Sequence, residues 1–144
     1  MVPLPRPIGL KGESIRVIAE FAPGAVFGPA YHDTRKGTLA YVRPPRNSVA
    51  RAHEPARPAC IVFPRYRPGG ATRIEPVPRA RAFLRAVDGA LNYSVLGTTG
   101  YETLAGLIDA CPCSDLTFSD LGEAVVLLEE ALAPAQVGAG SVGD

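Results

Sequence analysis

The sequence predicts an α/β fold: one mixed sheet with helices packed on it, the helices concentrated in the C-terminal half. Three observations carry that reading. Cys60-Ile61-Val62-Phe63 is an unbroken apolar run between Pro58 and Pro64, the pattern of a strand buried on both faces and central to its sheet. Ala80, Phe83, Leu84, Val87 and Leu91 recur at helical spacing, with Arg79, Arg81 and Arg85 off the stripe. Strand-like segments come first and helical ones last, which stacks helices on a sheet.

The chain opens with an extended, proline-punctuated stretch over residues 3–10. A helix follows from about Ser14 to Phe21, striped by Ile15, Ile18 and Phe21 and stopped by Pro23-Gly24. Ala25-Val26-Phe27 reads as a brief strand ended by Gly28-Pro29. Leu39 to Val42 is a strand that Pro44-Pro45 ends, because proline cannot donate to a ladder. Arg46 to His53 holds one or two helical turns, with Asn47 or Ser48 as cap, and Pro55 and Pro58 make the next segment a connector.

After the central strand, Arg65 to Gly70 is a turn and Ala71 to Glu75 a strand able to pair back as a hairpin. Pro78 sits near the first turn of a helix over 79–92. A loop through Gly97 and Gly100 leads to a helix from about Tyr101 to Cys111 with Leu104, Leu107 and Ile108 inward. Leu116-Thr117-Phe118 is a short strand. Ser119 or Asp120 caps a last helix striped by Leu121, Val125, Leu128 and Leu132. Residues 133–144, rich in Gly and Ala, read as a disordered tail.

With 144 residues, 47% of them hydrophobic and 20% charged, the chain is long enough for one core and too apolar for disorder. No apolar run nears the roughly 18 residues of a membrane span, and Met1 to Pro7 has no signal-peptide core, so the cytoplasm is the default location. The net charge of +1 hides a segregation: residues 1–87 hold all 15 Lys and Arg against five acids, and residues 88–144 hold nine acids and no base. That pattern suits either a face aimed at phosphate or nucleic acid, or two halves that attract each other. Three cysteines, Cys60, Cys111 and Cys113, are an odd number and argue against a disulfide framework. Cys111-Pro112-Cys113 finds no His or Cys partners at zinc spacing, so reduced, partly buried thiols are expected and no metal.

The densest chemistry lies in Tyr31 to Pro45. His32, Asp33, Thr34, Arg35, Lys36, Gly37 and Thr38 run directly into a strand, and Arg43 follows it. Cations beside a Gly at a strand entrance can present charge and backbone N–H groups to an anion. A solvated polar loop between strands would have the same composition. His32 and Asp33, as neighbours on a strand, should point to opposite faces.

Pro5-Arg6-Pro7-Ile8, the Ser14-Ile15 helix, His32-Asp33-Thr34 with Lys36-Gly37-Thr38, Arg43-Pro44-Pro45, Ser48-Val49-Ala50-Arg51, Val62-Phe63-Pro64-Arg65-Tyr66 and Asn92-Tyr93-Ser94 follow one another in a familiar order. Over residues 3–132 the chain resembles the HPr-kinase-related proteins of the kinase A type. These are P-loop kinases similar to HPr kinase/phosphorylase and to phosphoenolpyruvate carboxykinase. The resemblance implies ATP- and Mg²⁺-dependent phosphoryl transfer to a protein hydroxyl in a bacterial cytoplasm. It makes His32, Asp33, Thr34, Arg35, Lys36 and Arg43 candidate phosphate or substrate contacts, with Arg79 and Asn92 as further motif residues. It assigns no catalytic residue in this sequence.

The departure from the family is at its centre. A Walker A loop needs G-x-x-x-x-G-K-[ST] to cradle phosphates on backbone N–H groups. No Gly-Lys-Ser or Gly-Lys-Thr occurs anywhere in the 144 residues. In the family that loop lies upstream of the Pro5-Arg6-Pro7 region, so residues 1–132 are expected to be the C-terminal part of an HPr-kinase-like domain, inactive alone and binding no ATP. Its expected partner is the Walker A half or another protein, and a missing half would leave an open sheet edge that promotes homo-oligomers. The alternatives are a non-catalytic protein-interaction module and an Arg-rich nucleic-acid-binding module. For the last, aromatics interleave with the arginines only at Tyr66, which gives little base stacking.

Overall fold

The computed structural model describes residues 2–35, 37–90 and 92–137. The fold is mixed α/β, but it contains two small sheets where one was expected. The chain divides into two compact units between Arg57 and Pro58, inside the proline-bearing connector. Prolines there offer no donors to a ladder. No helix among the described residues is long and apolar enough to cross a membrane.

The first unit comprises β1 (Ile8–Lys11), α1 (Glu13–Phe21), β2 (Tyr31–Thr34), β3 (Gly37–Val42) and α2 (Arg46–Ala50). Its sheet is antiparallel with order β1-β3-β2. Ile8 opposes Val42 and Leu10 opposes Ala40, so these four side chains share one face. Ala40 and Val42 are the only buried apolar residues of this unit among those described, and α1 buries none of its own. Glu13 in the first turn of α1 complements the helix dipole, and Arg16 bonds Glu13 and Glu20 on its solvent face at 3.0 and 2.8 Å. Ala25 to Phe27 makes a single bridge from Phe27 to Val42 instead of a strand. Pro45, not Asn47 or Ser48, occupies the N-cap position of α2, with no side-chain cap bond.

The second unit comprises β4 (Ile61–Tyr66), β5 (Arg73–Pro76), α3 (Arg79–Gly89), α4 (Tyr93–Ala110), β6 (Cys113–Phe118) and α5 (Leu121–Val137). The sheet order is β4-β6-β5, with β4 parallel and β5 antiparallel to β6. This corrects two expectations. The central strand is β6, and the apolar run Ile61 to Phe63 lies on an edge, half-buried. Likewise β5 pairs with β6 and forms no hairpin with β4.

The backbone explains why β4 and β5 are edges. Ile61 and Arg67 donate toward β6, to Pro112 O at 2.9 Å and Phe118 O at 2.8 Å. The alternation turns Val62, Pro64 and Tyr66 outward. On the other side Val77 donates to Cys113 O at 2.8 Å, which turns Pro76 outward. Each edge therefore carries a proline where a donor would be exposed.

One sheet face holds Ile61, Phe63, Cys113 and Val77, which cluster with Ala82, Phe83 and Ala86 of α3 and Ile108 of α4. The opposite face carries Ile74, Leu116 and Phe118, and α5 packs against β6 and β5 with Leu116 and Ala124 buried. In α3 the inward positions differ from the expected stripe. Ala82 is 0% exposed and Leu84 65%, because Phe83 and Ala86 flank Ala82 on the covered side; Leu91 lies outside the described residues. Helix α4 starts at Tyr93 and kinks at Gly97 (φ 52°, ψ −127°), in place of the expected loop. Gly100 is tightly placed, since a Cβ there would meet Tyr93 O and Leu96 Cβ at 3.1 Å. Asp120 caps α5, its Oδ1 accepting from the Glu123 backbone N at 2.9 Å. The helix runs to Val137, into the stretch expected to be tail; residues 138–144 lie outside the described residues.

Candidate functional site

The motif residues of the first unit sit on the β2–β3 hairpin. Tyr31 opposes Leu39 and Thr34 opposes Gly37, so β2 carries one extra residue between them. That bulge is taken up at Asp33, whose φ of +58° is the only positive value on a non-glycine residue among those described. Aspartate tolerates this left-handed conformation better than most side chains, and bulges re-aim side chains at functional rims. The turn is closed by Thr34 Oγ1 donating to Gly37 O at 2.5 Å, with Gly37 at φ +77°. Thr38 Oγ1 lies 3.4 Å from His32 Nδ1. His32, Asp33 and Arg35 are exposed and Thr34 is half-buried; Lys36 lies outside the described residues.

Arg43 is not part of this group. It follows the far end of β3, about 20 Å along the strand from Gly37 at ~3.3 Å per residue. There its backbone N donates to Val26 O at 2.9 Å. With Arg46 it borders a groove of about 550 Å³ floored by Ile8, Ile18, Val26 and Val42. Arg79 and Asn92 belong to the second unit. Arg79 opens α3 and reaches Asp109, with Nη2 3.4 Å from its carbonyl and Nη1 3.7 Å from its carboxylate. Asn92 holds the N-cap position of α4 without a side-chain cap bond.

The strand-to-helix junctions test whether these residues fit Mg·ATP. At β1–α1 the sequence is Lys11-Gly12-Glu13-Ser14. Ser14 Oγ is occupied by Lys11 N and O at 2.9 and 2.8 Å, and Glu13 adds a negative charge to the first turn of α1, paired with Arg16. At β5–α3 the junction is Val77-Pro78, with no glycine and a missing donor. At β6–α5 the Asp120 carboxylate already covers the helix N-terminus. None of these three junctions presents a run of free backbone N–H groups with a lysine behind it. No group of three or more His, Cys, Asp or Glu among them is placed to hold a metal.

The thiols are free: Cys111 and Cys113 are buried and Cys60 half-buried. Cys111 Sγ donates to Pro58 O and Cys113 Sγ to Cys111 O, both at 3.5 Å. Burial pushes the Cys113 thiol pKa up, Cys111 and Cys60 add to the rise, and Arg79 opposes it.

A charged group that the sequence reading left on the solvent side of α3 is drawn inward. Arg85 pairs with Asp115 of β6, the two side chains 28% and 36% exposed, and its guanidinium stands 4.1 Å from the Phe63 ring centroid. Only the strand register reveals it, since Arg85 and Asp115 are 30 residues apart. No family model, curated protein or solved structure matches the chain.

Proposed function

We propose that this chain is one part of an HPr-kinase-related phosphotransferase, the C-terminal portion, in which the β2–β3 hairpin supplies cationic and hydroxyl groups to a phosphate. A polypeptide bearing a Walker A loop supplies the nucleotide cradle. The observation that carries this reading is the bulged hairpin. It presents His32, Asp33 and Arg35 beside Thr34 on a turn held by its own hydrogen bond. Positive charge there offsets the charge of a transferring phosphate, the main contribution a protein makes to this chemistry. The acceptor is a protein hydroxyl. Without a cradle the chain positions nothing, so alone it is inactive.

Calorimetry with Mg·ATP tests the assignment. The 144-residue chain alone gives no saturable heat; added to a Walker A polypeptide of the same family, it raises nucleotide affinity and supports phosphate transfer. Micromolar, Mg²⁺-dependent ATP binding by the chain alone would overturn the half-domain assignment. A second reading, a non-catalytic interaction module, is favoured by the apolar groove beside Arg43 and Arg46. It replaces the first if the two-part mixture neither binds nucleotide nor transfers phosphate.

A further inference from the structure

In the second unit every basic residue precedes residue 88: Arg65, Arg67, Arg73, Arg79, Arg81 and Arg85. The strand register gathers three of them on one sheet face. Along that face the first row is Ile61, Cys113 and Val77, closing the core under α3 and α4. Phe63, Asp115 and Glu75 form the second row, roofed by Arg85. The third row is Arg65, Thr117 and Arg73, with the threonine on the central strand between the two arginines. Arg65 is exposed with no side-chain partner among the described residues, and Arg73 pairs with Glu75 Oε2 at 3.0 Å.

We infer that this third row is a binding site for a single phosphate group. The Cα atoms of Arg65 and Arg73 stand two strand spacings apart, about 10 Å, so both guanidinium forks can converge on one tetrahedral oxyanion above the Thr117 hydroxyl. The row lies at the carboxyl ends of the parallel strands β4 and β6, where open α/β sheets place ligands. The loop beside it is held by its own hydrogen bonds. Arg67 N donates to Phe118 O at 2.8 Å, Gly70 N to Arg67 O at 3.0 Å, and Ser119 Oγ to Gly70 O at 2.7 Å. Thr72 Oγ1 donates to Glu123 Oε2 at 2.5 Å.

Such a frame lowers the ordering cost of binding. The bound group displaces the Glu75 carboxylate from Arg73, while Arg85 stays with Asp115 and closes the site toward the core. Two arginines flanking one hydroxyl match the oxygens of one tetrahedral group, and a row this short offers no further cations in line for a run of phosphodiesters, so the ligand is one phosphate and not a nucleic acid. The inference does not rest on the phosphotransferase reading, which uses the hairpin of the other unit.

The test is an NMR titration of the full chain, following backbone amides and arginine Nε–H signals. Inorganic phosphate and O-phosphoserine are added separately at ionic strength held with chloride. Arg65, Arg73 and Thr117 shift saturably at millimolar ligand and not with chloride. Arg65→Gln and Arg73→Gln each weaken binding about tenfold, ~1.4 kcal/mol. Glu75→Gln tightens it, because the competing carboxylate is gone; a merely structural role for Glu75 would not produce that gain. Tighter binding of phosphoserine identifies a phosphate monoester as the ligand, and tighter binding of inorganic phosphate identifies the free ion. Shifts that fail to saturate, shifts at Arg35 or Arg43 instead, or unchanged affinity in Arg65→Gln overturn the inference. If Arg73→Gln disturbs the fold, Arg65→Gln and Glu75→Gln, both at exposed positions, decide it.

Discussion

Ala82 and Phe83 are neighbours in α3 with different tolerances. Ala82 is wholly covered, so a larger side chain there must push α3 off the sheet. Phe83 is half-buried, with edge-to-face contacts to Tyr93 and Tyr101 at centroid distances of 6.3 and 5.5 Å. Full burial, as the helical stripe implied, would make Phe83→Ala cost about 3–5 kcal/mol. With part of the ring in solvent, about 2–3 kcal/mol is expected, still including the lost aromatic pairs. Ala82→Leu should cost ~1–3 kcal/mol by overpacking. Urea denaturation measures both, and a Phe83→Ala loss under ~0.5 kcal/mol would place the ring on the surface. Leu84, by contrast, points outward where the stripe put it inward. A stripe of apolar residues wider than the covered arc does not say which of its edges faces the sheet.

At the scale of elements, β4 matters most. Its apolar triplet Ile61-Val62-Phe63 reads as a central strand, yet its outer edge is unpaired among the described residues. Pro64 removes the middle donor of that edge, leaving outward N–H groups at Val62 and Tyr66 on either side. Such an interruption hinders strand addition by another chain. Pro64→Val restores the donor in a segment that is already apolar and strand-forming. Light scattering should therefore show faster self-association of Pro64→Val than of the native chain at equal concentration. Equal rates would mean that the proline does not guard this edge. The same comparison bears on the open edge expected of a half-domain, which this strand presents only in part.

For the whole molecule, the decisive feature is the unequal burial of the two units. The first has only Ala40 and Val42 as buried apolar residues among those described, whereas the second buries Val77, Ala82, Ile108, Cys111, Cys113, Leu116 and Ala124. Chains below roughly 60 residues are marginal even with a full core. Residues 58–144 are therefore expected to unfold cooperatively on heating when expressed alone, and residues 1–57 to show no such transition. Circular dichroism melts of the two fragments check this; a cooperative melt of residues 1–57 would show that its antiparallel sheet is stable without a substantial core.

Much of the local structure was legible in the residues themselves. The helix after Lys11-Gly12, the strand before Pro44, the helix after Pro78 and the Asp120 cap all follow from periodicity, proline placement and side-chain capping, which act within a few residues. The run His32 to Arg35 stood out as polar because it is contiguous, but its place on a bulged strand did not, since that depends on pairing with β3. Strand order was not. An apolar run fits a central strand or a partly covered edge equally well, and which one it becomes depends on β6, whose register with Ile61 to Tyr66 joins residues some fifty positions apart. Arg85 turning inward to Asp115, and Arg65, Thr117 and Arg73 meeting in one row, depend on that pairing. They are decided by which backbones find each other's donors and acceptors, a long-range condition that no local pattern encodes.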